Sequence, residues 1–324
     1  MRYRHLGHSG LRLSVLGLGS WLTFGSTVDR DATRACVVRA WERGVNFFDT
    51  ANVYAHGAAE ATLNPILKDL DRDALVLASK VYFPTGEAVM QRGLSRKHIR
   101  DQVDRSLRRL GLEYIDLYQC HRYDVTTPVE ETCAMMNDLV RAGKILYWGV
   151  SEWNADQIAA AAAVCAARGW AMPVSNQPQY SALWRRIEAR VLPACRQYGL
   201  GTVVWSPLAM GILTGKYTDA RRPPAGTRAA GHAKEMMEDY FNQPVLDAVQ
   251  RLLPLARESG CTLAQLALAW SLRDENVTSA IVGASRVEHL DENLAAGDLD
   301  IDSKIFDEMN RILAPVSPTE PYLA

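Results

Sequence analysis

The chain has 324 residues, 48% hydrophobic and 23% charged, a balance that excludes a disordered segment and suits one large barrel domain over residues 1–324. With 36 Lys and Arg against 37 Asp and Glu, the net charge of -1 gives no global attraction to nucleic acid or to an anionic membrane. No apolar run reaches the roughly 18 residues of a spanning helix, and the opening MRYRHLGHSG lacks a signal-peptide core, so a cytoplasmic location without membrane insertion is expected.

The first residues, YRHLGHSGLRLS, read as a hairpin with Gly7 to Gly10 at its turn, placed to cover the bottom of a barrel. Short β-rich runs then alternate with segments of helical period. The runs are 15–19, 46–49, 74–80, 114–120, 145–151, 174–177, 201–206 and 277–283, eight in all. Helical period covers 31–43, 60–70, 96–110, 129–141, 155–168, 187–198, 244–259 and 263–273. Ser95 and Thr127 suit helix starts, Pro128 a first helical position, and Gly111, Gly143, Gly169 and Gly199 helix ends.

Strands without strict polar alternation imply burial on both faces, and helical crossovers imply parallel pairing. Together they predict an α/β fold, a closed (β/α)8 barrel. A doubly wound open sheet is the alternative, but Gly17-Leu18-Gly19 lacks the full dinucleotide-binding spacing and no helix follows it directly. Residues 207–241, rich in Gly and Pro, read as a long loop after the seventh strand, where barrels carry function. The six cysteines are scattered without C-x-x-C pairs, which reads as buried thiols and no metal site.

Chemistry in such a barrel gathers at the C-terminal ends of the strands. Asp49 ends one run with Tyr54 five residues on, Lys80 ends the next, and His121 directly follows the third. Singly, each has a structural explanation as a cap, a half-buried ring, a surface charge or a loop histidine. Together they form a coherent catalytic cluster. A phenol has a pKa of about 10 and donates poorly at neutral pH unless assisted. The Lys80 ammonium is expected to lower that of Tyr54, Asp49 to keep the amine charged, and His121 to orient a substrate oxygen. Such a set suits proton delivery to an oxygen that gains negative charge as hydride reaches carbon. Lys80 at a strand end also fits a Schiff-base lyase.

The stretch GVNFFDTANVYAHGAAEATL resembles the aldo-keto reductase signature around its Asp and Tyr, and SLRRLGLEYIDLYQCHR resembles the segment leading to its His. GLSRKHI, YAHGAAE, WSPLAMGILTGKY and GASRVEHLDEN are similar to the branch that holds the voltage-gated potassium-channel β-subunits and their bacterial relatives. Those subunits as a rule carry Asn where His121 stands, which points to an active enzyme rather than a redox-sensing accessory subunit.

The resemblance implies NADPH/NADP+ as cofactor, spread over the barrel top, a small-molecule carbonyl substrate, and an aldehyde reductase or alcohol dehydrogenase type of activity. It implies cofactor contacts at Ser20, Trp21 and Asp49, with Ser151 and Gln177 on the carboxamide. Trp205, Ser206, Pro207, Leu208, Ala209, Gly211 and Lys216 would follow the cofactor backbone. Gly283 and Ser285, before the final helix, would hold a phosphate, and His289, Glu292 and Asn293 the adenine side. Arg228 is expected on the 2′-phosphate, with Arg221 and Arg222 as alternatives because the surrounding loop is longer than the related pattern. Trp21, Tyr82, Phe83, Trp153 and Trp184 are expected to wall an apolar substrate pocket. Members of that branch include tetramers, so a homo-oligomer is open.

Overall fold

The computed structural model describes residues 1–231 and 235–320. Strands β1 (Tyr3–His5) and β2 (Arg12–Ser14) pair antiparallel, with Tyr3 opposite Ser14. Eight further strands follow: β3 (Leu16–Gly19), β4 (Phe47–Asp49), β5 (Val76–Val81), β6 (Ile115–Cys120), β7 (Ile145–Ser151), β8 (Ser175–Gln177), β9 (Gly201–Val204) and β10 (Val277–Val282). All eight run parallel, each beside its predecessor, and β10 returns to pair with β3. The result is the closed (β/α)8 barrel that the order of elements predicts. Strands β5, β6 and β10 are buried along their whole length, which is why they lack polar alternation.

The first six crossovers each carry one helix: α1 (Arg30–Glu42), α2 (Ala58–Leu67), α3 (Arg96–Leu110), α4 (Val129–Arg141), α5 (Ala155–Arg168) and α6 (Val191–Tyr198). Ser95 caps α3 by accepting from the His98 amide, and Gly111, Gly169 and Gly199 close α3, α5 and α6 in left-handed conformations. Thr127 does not cap α4: its hydroxyl donates to Asp124 Oδ2 at 2.8 Å, and Pro128 takes the cap position.

Proline explains two further departures. Helix α6 starts at Val191 rather than at 187, because Pro193 has no N–H to bond back into a preceding turn. The expected helix 244–259 divides into α7 (Gln243–Gln250) and α8 (Leu253–Glu258), with Pro254 in the first turn of the second. Helix α9 (Leu263–Ser271) completes the seventh crossover. Helix α10 (Val287–Ala295) follows β10, but it is not the last: α11 (Ser303–Leu313) comes after it.

The N-terminal hairpin closes the barrel floor. Leu6 and Leu13 are fully buried in one cluster with Phe47, Val76, Ala78, Leu117, Val203 and Ile281, which come from strands. Gly7 makes this closure possible, since at φ +56° an added Cβ would meet the Gly199 carbonyl oxygen at 2.2 Å. With the floor plugged, the opposite end of the barrel is left for a ligand. There, the segment after β9 runs through short turns at Ala209–Thr214 and Arg228–Ala230; residues 232–234 of the expected loop lie outside the described residues. Among the described residues no helix is long and apolar enough to cross a membrane.

Candidate active site

Parallel pairing brings the ends of β4, β5 and β6 side by side, with Lys80 opposite Gln119 in the β5–β6 register and Asp49 opposite Ala78 in the β4–β5 register. Lys80 is fully buried, and its ammonium uses all three of its protons. It donates to Asp49 Oδ2 at 2.5 Å, to the Thr50 carbonyl at 3.0 Å and to the Tyr54 hydroxyl at 3.3 Å. The other Asp49 oxygen accepts from Gln177 Nε2 at 2.9 Å. The Tyr54 ring lies 5.7 Å from that of His121, edge to face. Asp49, Tyr54, Lys80 and His121 therefore converge from three successive strand ends and the short turn after β4.

Burial by itself would drive the proton off Lys80, but the charge of Asp49 and the bonds to Asp49 and Tyr54 overturn it, holding the amine above its ordinary 10.5. A Schiff base needs a neutral amine, so this protonated, fully engaged lysine does not suit lyase chemistry. For Tyr54 the balance differs from expectation. Lys80 does favour the phenolate, but burial is larger and Asp49 adds to it, so the phenol sits above its ordinary 10.0 rather than below. Burial, with Lys80 and Arg122 adding to it, pushes His121 well below 6.5 and leaves it neutral at pH 7. Its Nδ1 is buried without a partner among the described residues. A proton on Nε2 avoids an unpaired buried N–H there.

Asp49, Tyr54 and His121 border a cavity of about 1100 Å³ across the barrel top, with Lys80 buried behind them. Of the residues expected at the cofactor, Trp21, Asp49, Ser151, Gln177, Trp205, Ser206, Pro207, Leu208, Gly211, Lys216, Arg228, Gly283, Ser285, His289, Glu292 and Asn293 line it. Ser20 and Ala209 do not: Ser20 is buried below, its hydroxyl on Thr50 Oγ1 at 2.9 Å, and the Ala209 side chain is buried in the core. Ser151 donates to the Gln177 carbonyl at 2.8 Å. The bond from Gln177 Nε2 to Asp49 turns its amide oxygen outward as an acceptor. After β9 the backbone holds Ser206, Ala209, Met210 and Gly211 at positive φ, a conformation that is costly for the first three and free for Gly211 at +97°. Lys216, Arg228 and Arg286 reach the cavity near Gly211 and Gly283, and none forms a salt bridge among the described residues. Arg221 and Arg222 do not line it, and Arg221 points to Asp219 at 3.6 Å.

The expected aromatic wall is only partly present. Trp21 and Phe83 line the cavity, and Trp21 stands edge-on to Trp205 at 5.9 Å. Tyr82, Trp153 and Trp184 do not. Tyr82 packs edge-on against the Phe83 ring at 5.3 Å. Trp153 precedes the α5 cap, Asn154, and is buried with Ile158 one turn on, the pairing that fixes a helix entry. Trp184 is buried against Tyr240. Sequence reasoning passed over Thr23, Arg122, Met210, Thr262 and Arg286, which also line the cavity. Arg122 and Arg286, next to His121 and Ser285, were within reach of the strand-end rule.

The aldo/keto reductase family model matches residues 15–314. The chain is 41% identical over 302 residues to a probable voltage-gated potassium channel subunit beta of Oryza sativa subsp. japonica, covering 92% of both proteins. It is 39% identical over 302 residues to a protein of the same description from Arabidopsis thaliana, again covering 92% of both. A putative voltage-gated potassium channel subunit beta of Schizosaccharomyces pombe is 40% identical over 302 residues, 91% of this chain and 87% of that protein. This chain belongs to the aldo/keto reductase family, whose members are in general oxidoreductases that use nicotinamide cofactors. A cavity of this size, lined by three cations that form no salt bridge among the described residues and by the proton-holding Tyr54, fits a dinucleotide of that kind.

Proposed function

We propose that this protein reduces aldehydes and ketones to alcohols with NADPH, Tyr54 giving the proton. The observation that carries the proposal is the Lys80 ammonium, shut away from solvent and shared among Asp49, the Thr50 carbonyl and the Tyr54 hydroxyl. The cofactor, when bound, supplies the hydride. Because the Tyr54 oxygen accepts from Lys80, its own O–H is left to donate to the substrate oxygen as negative charge builds there. Asp49 keeps Lys80 charged and in place, and neutral His121 donates a second hydrogen bond that orients the carbonyl.

Ser151 and Gln177 would hold the carboxamide. Trp205, Ser206, Pro207, Leu208, Gly211 and Lys216 would follow the diphosphate, and Gly283 and Ser285 would meet a phosphate before α10. His289, Glu292 and Asn293 would border the adenine. Arg228 is assigned to the 2′-phosphate, because burial weakens its charged form and no carboxylate among the described residues forms a salt bridge with it, so an anionic ligand would suit its site. NADPH consumption with 4-nitrobenzaldehyde, methylglyoxal and a broad aldehyde panel tests the proposal; no consumption with any of them would end it.

The names of the relatives lend weak support to a second reading, a nicotinamide-binding accessory subunit with little turnover. Tight NADPH binding with negligible multiple turnover, and a stable protein partner recovered in pull-downs, would select it.

A further inference from the structure

One cation beside the catalytic cluster makes no hydrogen bond to the side chains of the proton relay and is assigned no dinucleotide contact. Arg122 directly follows His121, is half-buried and lines the cavity. Its Nη1 donates to the His121 carbonyl at 2.5 Å. Its guanidinium carbon lies 5.3 Å from the centre of the Phe83 ring, and that ring stands edge-on to His121 at 4.8 Å. These contacts fix the guanidinium, while among the described residues Nε and Nη2 have no hydrogen-bond partner and it forms no salt bridge.

Neither of the nearest carboxylates forms a salt bridge with it among the described residues. Glu152 feels the charge of Arg122, but its Oε1 accepts from the Gln179 amide at 2.5 Å and from Trp205 Nε1 at 2.7 Å. Asp49 is held by Lys80 and Gln177. The other cavity cations without a salt bridge among the described residues, Lys216, Arg228 and Arg286, are assigned to the group around Gly211 and Gly283. A partly desolvated guanidinium with free donors beside an aromatic wall is matched by a carboxylate, which can accept two parallel hydrogen bonds.

We infer that Arg122 receives an anionic group of the substrate, so that the preferred substrates are carbonyl compounds carrying a carboxylate a few bonds from the reacting carbon. This rests on the assignment of Tyr54 and His121 to the carbonyl. His121 and Arg122 line the same cavity, so one substrate can meet His121 through its carbonyl and Arg122 through its carboxylate.

The test compares the ortho, meta and para carboxybenzaldehydes with their methyl esters, using the purified full chain and NADPH. For at least one isomer, kcat/KM should favour the acid over its ester by on the order of 10- to 100-fold, and added salt should shrink that ratio. Arg122→Gln should bring the ratio close to one, while Arg122→Lys, which keeps the charge without the fork, retains part of it. Should Arg122→Gln not fold, inhibition of the unaltered protein by benzoate against benzamide reads the same preference, with benzoate expected to be the stronger. Esters reduced as well as the acids at every position, a ratio unmoved by Arg122→Gln, or equal inhibition by benzoate and benzamide would overturn the inference alone. No turnover of acids or esters would overturn it together with the reductase proposal.

Discussion

Lys80 Nζ lies 2.5 Å from Asp49 Oδ2, with the lysine fully buried and the aspartate nearly so. A buried ion pair is costly to assemble and far more costly to break on one side, because the remaining charge is stranded.

Asp49→Asn leaves the Lys80 ammonium with neutral acceptors only. Stability at neutral pH should fall by about 3–5 kcal/mol, measured by chemical denaturation. The pH dependence should change as well. Lys80 is held above 10.5, so the stability it contributes is present at neutral pH and is lost only as pH rises through the higher folded value. Without Asp49, burial dominates and the amine is pushed down, so the variant should gain relative stability as Lys80 deprotonates on moving from neutral to alkaline pH. A variant whose stability runs parallel to the unaltered protein across this range would contradict the role given to Asp49.

His121 makes the opposite prediction on the acid side. Its folded value is well below 6.5, so the unfolded chain takes up a proton that the folded chain refuses as pH falls through 6.5. Nothing is lost above that pH. Below it, this residue should remove up to about 1.4 kcal/mol of stability per pH unit. His98 is shifted in the same direction by burial, so the informative quantity is the difference between the unaltered protein and His121→Asn. Denaturant melts from about pH 7.5 to about pH 5 should show a shallower decline in the variant.

Arg228→Gln should weaken NADPH binding by about 10- to 100-fold and affect NADH far less. Fluorescence titration with both nucleotides measures it. Equal loss for the two would move the 2′-phosphate contact to another cation, Arg286 being the first to examine because it also reaches the cavity without a salt bridge among the described residues.

The fold was legible because each crossover announces itself locally: a short strand, a turn, and an amphipathic helix with caps such as Ser95 and Gly111. Asp49, Lys80 and His121 were legible for a related reason. They are polar residues ending otherwise buried strands, and parallel pairing makes strand ends neighbours. The direction in which loop aromatics face was not. Trp153 and Trp184 have the size and position for a pocket wall, but helix entry and turn packing draw them into the core. The net acidity of Tyr54 was hidden for an energetic reason. Lys80 beside a phenol can be read from spacing, but the larger opposing effect of burial is set by everything around the ring.

The measurement that bears most directly on the proposed proton relay pairs NADPH binding with turnover in Tyr54→Phe. The phenyl ring keeps the packing against Trp21 and His121 but has no proton to give. NADPH affinity should stay close to that of the unaltered protein, while aldehyde reduction falls on the order of 100- to 10,000-fold. Reduction at an undiminished rate in Tyr54→Phe would contradict the assignment of Tyr54 as the proton donor.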